Sequence, residues 1–343
     1  MPNSIEQNDD TQVIPKKKQK LENENPKTIL GDYEIISKLG SGTYGKVFKA
    51  SHKDNTGVQY AIKYFKKKTA LKNQNQMSGL KKEFDIMKQL DSVFVTNLIE
   101  VFQTQESLCF VMEACEALNF YHIMLNVKKM IRSHATFFSA ELFLGIKYLH
   151  GKNIVHQDLK LENLLITKSC HLKICDFGLS EPDVHPETRL SKFCGTLAYF
   201  SPEKVKKIEY TMKTDWWTFG IIVAEFFGCL SPFERKTNPE TKFAIENLKM
   251  ELVAEMPEDA LDLVHKLLKY ENQRLSQEGI SAHPFFNKVV WKDYEEQRIS
   301  TPWNFTSSED VLRLSISIES EAVVMDRTND AFNEFTYKRL SRT

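Results

Sequence analysis

Eight consecutive residues, His156-Gln157-Asp158-Leu159-Lys160-Leu161-Glu162-Asn163, carry the most specific signal in this sequence. Asp176-Phe177-Gly178 and then Ser201-Pro202-Glu203 follow them along the chain. Each motif by itself is short, but chance alone would not place all three in one sequence in this order. We therefore expect the three motifs to belong to one fold and to one site.

A glycine-rich segment lies upstream, Gly40-Ser41-Gly42-Thr43-Tyr44-Gly45-Lys46-Val47. Glycines at this spacing let backbone amides approach nucleotide phosphates, because no Cβ stands in the way. The same spacing occurs in Rossmann domains, where the glycines open a helix. Here the chain continues as a predicted strand over Lys46–His52, which favours a hairpin between two strands. Lys63 at the end of the next strand and Glu83 on a helix then form a candidate pair for the α- and β-phosphates.

Apolar periodicity divides the chain into a strand-rich part and a helical part. Up to Glu113 the pattern predicts one helix near Ser78–Leu90 and strands over Tyr33–Leu39, Lys46–His52, Gln59–Tyr64 and Leu108–Met112. Beyond Glu113 it predicts helices at Ala135–His150, Asp215–Cys229 and Ala260–Lys269. We therefore expect an α+β fold with two lobes: a small antiparallel sheet with one helix, and a larger, mainly α-helical lobe.

On these motifs, residues 32 to about 290 resemble the eukaryotic protein kinases. Lys160 and Thr196 fit the serine/threonine type. The resemblance implies the bilobal protein-kinase fold, ATP and Mg²⁺ as cofactors with Mn²⁺ as an alternative metal, and transfer of the γ-phosphate to Ser and Thr hydroxyls of protein substrates. We therefore expect an active protein serine/threonine kinase.

The resemblance also assigns roles to individual residues. It implies that Asp158 aligns the incoming hydroxyl and that Lys160 neutralises the transferring phosphoryl group. Asn163 and Asp176 would bind the metal, since their oxygens are hard ligands. The implied catalytic set also contains Lys63, Glu83 and Thr196. The implied nucleotide site consists of Leu39, Gly40, Ser41, Gly42, Thr43, Tyr44, Gly45, Lys46, Val47, Ala61, Lys63, Met112, Glu113, Cys115 and Leu165.

By the same resemblance to protein kinases, Glu203 is expected to pair with Arg274, and Asp215 to bond the backbone of the catalytic loop. The strings Asp215-Trp216-Trp217 and Phe193-Cys194-Gly195-Thr196 resemble the group of the cyclic-AMP-dependent kinase and its relatives, the AGC group. The ending Phe332-Asn333-Glu334-Phe335-Thr336-Tyr337 fits the hydrophobic motif of that group. Phe332 and Phe335 would enter an apolar groove on the small lobe, and an upstream kinase would phosphorylate Thr336. The expected domains are a disordered tail over 1–31, a small lobe over 32–113, a large lobe over 114–286 and an AGC-like extension over 287–343.

The activation segment, between Asp176-Phe177-Gly178 and Ser201-Pro202-Glu203, departs from the pattern of regulated kinases. Gln157 stands where most of them have arginine, and Lys192 stands at the phosphoacceptor position. Glu181 and Gly79 stand where relatives carry basic side chains. We hypothesise that Lys192 pairs with Glu181 in reversed polarity and keeps the segment ordered without a phosphate. The alternative is a solvated, unpaired Lys192, with Ser191 as another candidate phosphosite.

Composition limits the partners of the chain. The 343 residues contain 46 Lys plus Arg and 46 Asp plus Glu, so the net charge is zero and nucleic acid is not expected as a partner. The most apolar stretch, Trp216–Leu230, is too short and too polar to span a membrane. Scattered cysteines and no leader sequence favour a reducing, cytoplasmic compartment, and we expect a monomer. The basic run Lys16–Lys20 offers nuclear import as the alternative to a solvated tail.

Two other functional classes stay open at this level. A pseudokinase scaffold would bind partners without catalysis, but such relatives lack at least one of the residues Lys63, Glu83, Asp158, Asn163 and Asp176, all present here. A calmodulin-regulated kinase would carry a basic amphipathic helix after the core, and none is evident. Glu162 resembles a residue that receives an arginine upstream of the acceptor, whereas Asn119 replaces a second acidic position, so we expect a moderate preference for basic substrates.

Overall fold

The computed structural model describes residues 29–41, 45–71, 74–115, 118–229, 231–252, 255–302, 335 and 337–339. Within them the small lobe is one antiparallel sheet of seven strands in the order β1-β2-β3-β4-β6-β5-β9. The strands are β1 Ile29–Leu30, β2 Tyr33–Ser41, β3 Lys46–His52, β4 Asn55–Lys66, β5 Leu98–Gln103, β6 Ser107–Glu113 and β9 Tyr337–Lys338. Two helices, α1 Lys67–Leu71 and α2 Gln74–Met87, lie between β4 and β5.

The predicted disordered tail is wrong at its last residues. Ile29 and Leu30 pair with the start of β2, and Leu30 is buried because it packs in the apolar cluster that contains Tyr33 and Phe48. Residues 1–28, with the basic run Lys16–Lys20, lie outside the described residues.

The glycine-rich hairpin joins β2 to β3, as the strand pattern predicted. Gly45 directly precedes β3 and lies very close to the backbone of β4. A Cβ at this position would collide with the carbonyl oxygen of Tyr64. Only glycine fits at this position without a backbone shift. The hairpin is therefore packed directly against the strand that carries Lys63.

The large lobe is mainly helical. Its helices are α3 Phe120–Val127, α4 Arg132–Gly151, α5 Pro202–Val205, α6 Lys213–Phe226, α7 Asn238–Glu246, α8 Glu258–Leu267, α9 Gln277–Ser281 and α10 Trp291–Glu295. Helix α6 is buried along almost its whole length, which explains its apolar composition. It ends before Gly228, whose φ of 89° does not continue a helix. None of the described helices is long and apolar enough to cross a membrane.

A short hairpin positions the polar motifs. Its strands, β7 Leu164–Ile166 and β8 Leu172–Ile174, follow directly after Asn163 and end just before Asp176. All but one of their residues are buried, so the hairpin is held in the core of the large lobe. The two motifs are therefore brought to the same face, where the lobes meet.

Candidate active site

A cleft of about 610 Å³ lies between the two lobes. Most of the residues that the sequence assigns to the nucleotide site line it: Leu39, Gly40, Gly45, Val47, Ala61, Lys63, Met112, Glu113, Cys115 and Leu165. Gly42, Thr43 and Tyr44 lie outside the described residues, as does the Ser41 side chain. Lys46 does not line the cleft, because side chains alternate along β3 and its neighbour Val47 is the one that faces inward.

Lys63 links both lobes at the back of the cleft. Its Nζ lies 2.7 Å from Glu83 Oε1 of α2 and 2.8 Å from Asp176 Oδ1. Burial opposes the charge of Lys63, but the two carboxylates outweigh it and its pKa lies above the ordinary value. Conversely, Lys63 holds the pKa of Asp176 below the ordinary value of a carboxyl. Burial raises the pKa of Glu83, so the geometry favours the charged forms of Lys63 and Asp176 at the point where phosphates would bind.

Asp158, Lys160 and Thr196 form a second polar cluster in the same cleft. Lys160 Nζ lies 2.8 Å from Asp158 Oδ2 and donates to Thr196 Oγ1 at 3.0 Å. Thr196 Oγ1 donates to Asp158 Oδ1, also at 3.0 Å. The amide nitrogen of Asn163 donates to the backbone carbonyl of Asp158 at 2.8 Å. The amide oxygen of Asn163 therefore points away from that carbonyl.

Asp215 binds the backbone of the catalytic loop, residues 156–163. One of its carboxylate oxygens accepts from the backbone N–H of His156 at 2.9 Å and the other from that of Gln157 at 3.1 Å. His150 Nε2 lies 3.0 Å from the same carboxylate. Burial alone would raise the pKa of Asp215, but these hydrogen bonds and the neighbouring His residues bring the pKa below its ordinary value. A buried carboxylate thus fixes the backbone of the two residues that precede Asp158.

The end of the activation segment is fixed by an ion pair. Nη2 of Arg274 lies 3.0 Å and 3.1 Å from the two carboxylate oxygens of Glu203, and both side chains are buried. The guanidinium also donates to the carbonyls of Lys213 and Lys269. A buried pair with these further hydrogen bonds is well satisfied, and removing one partner would leave a buried charge.

Glu181 has two basic neighbours. Nζ of Lys82, on α2, lies 2.8 Å from Glu181 Oε2, whereas Nζ of Lys192 lies 3.8 Å from the same oxygen. Lys192 is thus close enough for an ion pair but not for a hydrogen bond. Sequence reasoning missed Lys82, because a lysine on the exposed side of a helix carries no signal of its own.

The chain end returns to the small lobe. Phe335 is fully buried, and its ring centroid lies 5.5 Å from that of Phe84 on α2. Tyr337 and Lys338 then pair with Val101 and Glu100 of β5. Phe332 and Thr336 lie outside the described residues. The apolar half of the motif that the structure describes therefore packs on the helix that carries Glu83.

Two further buried networks border the cleft and were not predicted. Lys173 Nζ lies 2.8 Å from Glu113 Oε1, which also accepts from the N–H groups of Asn97. The Tyr199 hydroxyl donates to Oε1 of the buried Glu225 carboxyl group at 2.9 Å. A search for charged residues within apolar stretches could have found Glu225, which lies in helix α6, where almost every residue is buried.

Known proteins are similar to this chain in sequence. A family model described as the protein kinase domain matches residues 33–286. Serine/threonine-protein kinase Sgk2 of Homo sapiens is 31% identical over 306 residues, 87% of this chain and 83% of that protein. Serine/threonine-protein kinase N2 of Danio rerio is 33% identical over 324 residues, 91% of this chain but 33% of that protein. Protein kinase C delta type of Rattus norvegicus is 33% identical over 279 residues, 80% of this chain and 41% of that protein.

The two lobes, the cleft and these matches define a phosphotransferase that acts on proteins. The chain belongs to the protein kinase family, and within it to the AGC-like serine/threonine kinases.

Proposed function

We propose that this kinase transfers the γ-phosphate of Mg-ATP to Ser and Thr hydroxyls, with Asp158 as the residue that orients the hydroxyl. The observation that carries the proposal is the mutual contact of Asp158, Lys160 and Thr196, in the cleft that also contains the Lys63–Glu83 pair. Asp158 accepts the hydroxyl proton, and the ammonium of Lys160 lies beside it to balance the charge on the transferring group. Phosphoryl transfer depends on this positioning more than on covalent chemistry.

The donor set of the cleft fits a magnesium ion. Half of the Asp176 side chain is exposed in the cleft, and Lys63 occupies only one of its carboxylate oxygens. The Asn163 amide is oriented by its hydrogen bond to Asp158, so that its oxygen is the free atom. Asp176 and Asn163 would hold Mg²⁺ (or Mn²⁺), which neutralises charge on the phosphates when bound. Lys63 would bind the α- and β-phosphates.

Active catalysis is favoured over a pseudokinase scaffold by the contacts themselves. Lys63, Glu83 and Asp176 form one connected ion-pair network, and Asn163 is bonded to Asp158. A chain selected only for scaffolding would not need to hold all five polar groups in one cleft. The calmodulin-regulated alternative lacks support, since buried Phe335 packs on α2 in the manner expected of the AGC hydrophobic motif.

Substrate choice is proposed to favour a basic side chain upstream of the acceptor. Glu162 lines the cleft, and its carboxylate is the group that would attract a basic side chain. Asn119 cannot add a second charge, and its side chain is engaged as the N-cap of α3, where it accepts from His122 N–H. The preference is therefore expected to be moderate rather than strict.

The partners and location follow the sequence expectations. We propose a cytoplasmic monomer that acts on protein substrates, with nuclear import through Lys16–Lys20 as the alternative. We propose further that an upstream kinase modifies Thr336, beside the buried Phe335. Phosphate at that position would add charge next to the strand that pairs with β5.

Transfer of labelled γ-phosphate to a Ser/Thr peptide panel tests the catalytic proposal. Asp158→Asn should lower kcat by about 10²–10⁴-fold, because the oriented base is lost, while nucleotide binding persists. Asp183→Asn is the matched control, since Asp183 is exposed and lies outside the cleft lining. Equal kcat in Asp158→Asn and the wild type would overturn the role of Asp158. Nucleotide binding without any transfer by the wild type would favour the pseudokinase instead.

A further inference from the structure

Lys204 is a lysine in an unusual place. It follows Glu203 directly, lies on α5 and is 3% exposed. Lysines are almost never buried to this degree unless their charge is satisfied. Burial lowers the pKa of Lys204, and the nearby Asp215 and Asp158 offset that effect in part. The hydrogen bonds of the Lys204 ammonium show which parts of the chain it connects.

The ammonium of Lys204 bridges two backbone segments. It donates to the carbonyl oxygen of Gln157, in the catalytic loop, at 3.2 Å and to that of Cys194, in the activation segment, at 3.3 Å. The rings of Tyr210 and Phe200 lie 5.2 Å and 5.6 Å from Nζ, within the range of cation–π attraction. A single buried cation therefore ties the activation segment to the loop that carries Asp158.

The side chain of Gln157 makes a second link between the same segments. Its Oε1 accepts from the hydroxyl of Tyr210 at 2.9 Å and from the thiol of Cys194 at 3.1 Å. The Tyr210 hydroxyl also lies 2.6 Å from the carbonyl oxygen of Lys192, so its proton is shared between two acceptors. The backbones of Tyr210 and Leu190 exchange two further hydrogen bonds, of 2.8 Å and 2.9 Å.

These links end next to the catalytic cluster. Gly195 has a φ of 105°, and a Cβ there would lie 2.8 Å from the carbonyl oxygen of Gln157. The segment thus rests directly on the catalytic loop at the residue before Thr196, whose hydroxyl contacts Asp158. Any displacement of the Cys194 carbonyl would therefore move Thr196 relative to Asp158.

We propose that Lys204, Gln157 and Tyr210 form an internal anchor that holds the activation segment in its catalytic position without a phosphate. The proposal rests on the proposed kinase activity and assigns the regulation of the same site. Lys204 is a positioning residue, since it acts through the Gln157 and Cys194 carbonyls and not on substrate. Gln157 suits this arrangement because a neutral amide accepts the hydroxyl and thiol protons, whereas an arginine would add a second cation beside Lys204.

Two variants separate positioning from general stability. Lys204→Met keeps an unbranched side chain of similar length but removes the ammonium. It should lower kcat for a peptide at least ~10-fold. Tyr210→Phe keeps the ring and should lower kcat about threefold or more. Both should leave the affinity for Mg-ATP within about twofold, because neither residue lines the cleft. A merely structural role would instead lower the active fraction and leave the kcat of folded protein unchanged.

The controls are substitutions of the same type at exposed positions. Lys206→Met changes an exposed lysine two residues further along the chain, and Tyr121→Phe removes an exposed hydroxyl. Both should retain the wild-type kcat. If Lys204→Met fails to fold by circular dichroism, Tyr210→Phe and the phosphatase experiment decide the question.

Phosphatase treatment tests the absence of a phosphate directly. Wild-type protein produced without an upstream kinase, so that mass spectrometry finds no phosphate on Thr336 at the start, is treated until residues 183–203 carry none either, and its kcat should stay within about twofold of the starting value. Loss of activity on this treatment, or equal kcat in Lys204→Met and Lys206→Met, would overturn the anchor. A wild type that binds nucleotide but never transfers phosphate would instead refute the proposed function, so the two failures are distinguishable.

Discussion

Nζ of Lys82 lies 2.8 Å from Oε2 of Glu181, which joins helix α2 to the segment that follows Gly178. The next residue on that helix is Glu83, the partner of Lys63. Glu181 thus lies between the helix that orients the nucleotide lysine and the activation segment that carries Lys192. We infer that the Glu181 carboxylate takes the place of a phosphate here, as the negative charge between Lys82 and Lys192.

Exchanging the charges of Lys82 and Glu181 tests this connection. Lys82→Glu should lower kcat by about threefold, and Glu181→Lys more, because it places three lysines together. The double variant should recover most of the loss, since partly exposed pairs couple by about 0.2–1 kcal/mol. Lys192→Glu should have a smaller effect than Lys82→Glu, as its separation of 3.8 Å indicates.

Lys88→Glu is the matched control for the charge exchange. Lys88 follows the same helix and pairs with Asp85 on its exposed surface, away from the cleft. Peptide phosphorylation is measured at low and high salt, and the differences should shrink as salt screens the pair. A double variant no more active than the worse single variant would refute the pairing.

The sequence was sufficient for the lobes and for most of the cleft. The strand Lys46–His52 is observed with the predicted bounds, because its apolar alternation continues directly from the glycine-rich turn. Helix α2 begins and ends a few residues earlier than the predicted Ser78–Leu90, since polar residues at its start form the first turn without an apolar signal. The strand β5 was missed, because Glu100 and Gln103 interrupt its apolar pattern.

The regulatory contacts could not be predicted in the same way. Lys82 and Lys204 are both lysines on helices, and one-dimensional patterns treat such residues as solvated. Their partners, Glu181 and the carbonyl of Gln157, are far away in sequence and near only in the folded chain. The hypothesis of reversed polarity at Glu181 named Lys192 and not Lys82, whose Nζ lies closer to the same oxygen, and it stays a prediction.

Gly195→Ala should abolish most of the activity while leaving the fold intact. A Cβ at this positive φ would be strained and would press on the Gln157 carbonyl, which pushes Thr196 away from Asp158. We expect kcat to fall at least ~10-fold, measured with a peptide substrate. Gly79→Ala is the control, because a Cβ there meets open space within α2 and should raise the stability by about 0.5–1 kcal/mol. Wild-type kcat in Gly195→Ala would refute the close approach.

Phe335→Ala should weaken the small lobe through α2. The ring is fully buried against Phe84, so its removal leaves a cavity on the helix that carries Glu83. We expect a loss of a few kcal/mol in local packing and a clear decrease in kcat, measured together with hydrogen exchange of α2. Phe243→Ala is the control, since that ring is 54% exposed on α7. Unchanged hydrogen exchange in α2 would contradict this coupling.

Glu225 should make the stability of the kinase fall between about pH 5 and pH 8. Burial raises its pKa from 4.5 to about 8, because the hydrogen bonds from Tyr199 and Ser231 compensate only in part. The folded state therefore keeps a proton that the unfolded state has already lost. The resulting stability is fully present below pH 4.5 and is lost as the pH rises through about 8.

Denaturant unfolding of wild type and Glu225→Gln across this range measures the effect. In the wild type, the free energy of unfolding should contain a decrease of about 1.4 kcal/mol per pH unit in this range. The Glu225→Gln variant should lack this decrease, because glutamine does not titrate. Glu187→Gln changes an exposed glutamate and should follow the wild-type curve. Parallel curves for the wild type and Glu225→Gln would mean that Glu225 does not hold its proton in the folded kinase, and that its carboxylate is charged beside Glu162 before any basic substrate arrives.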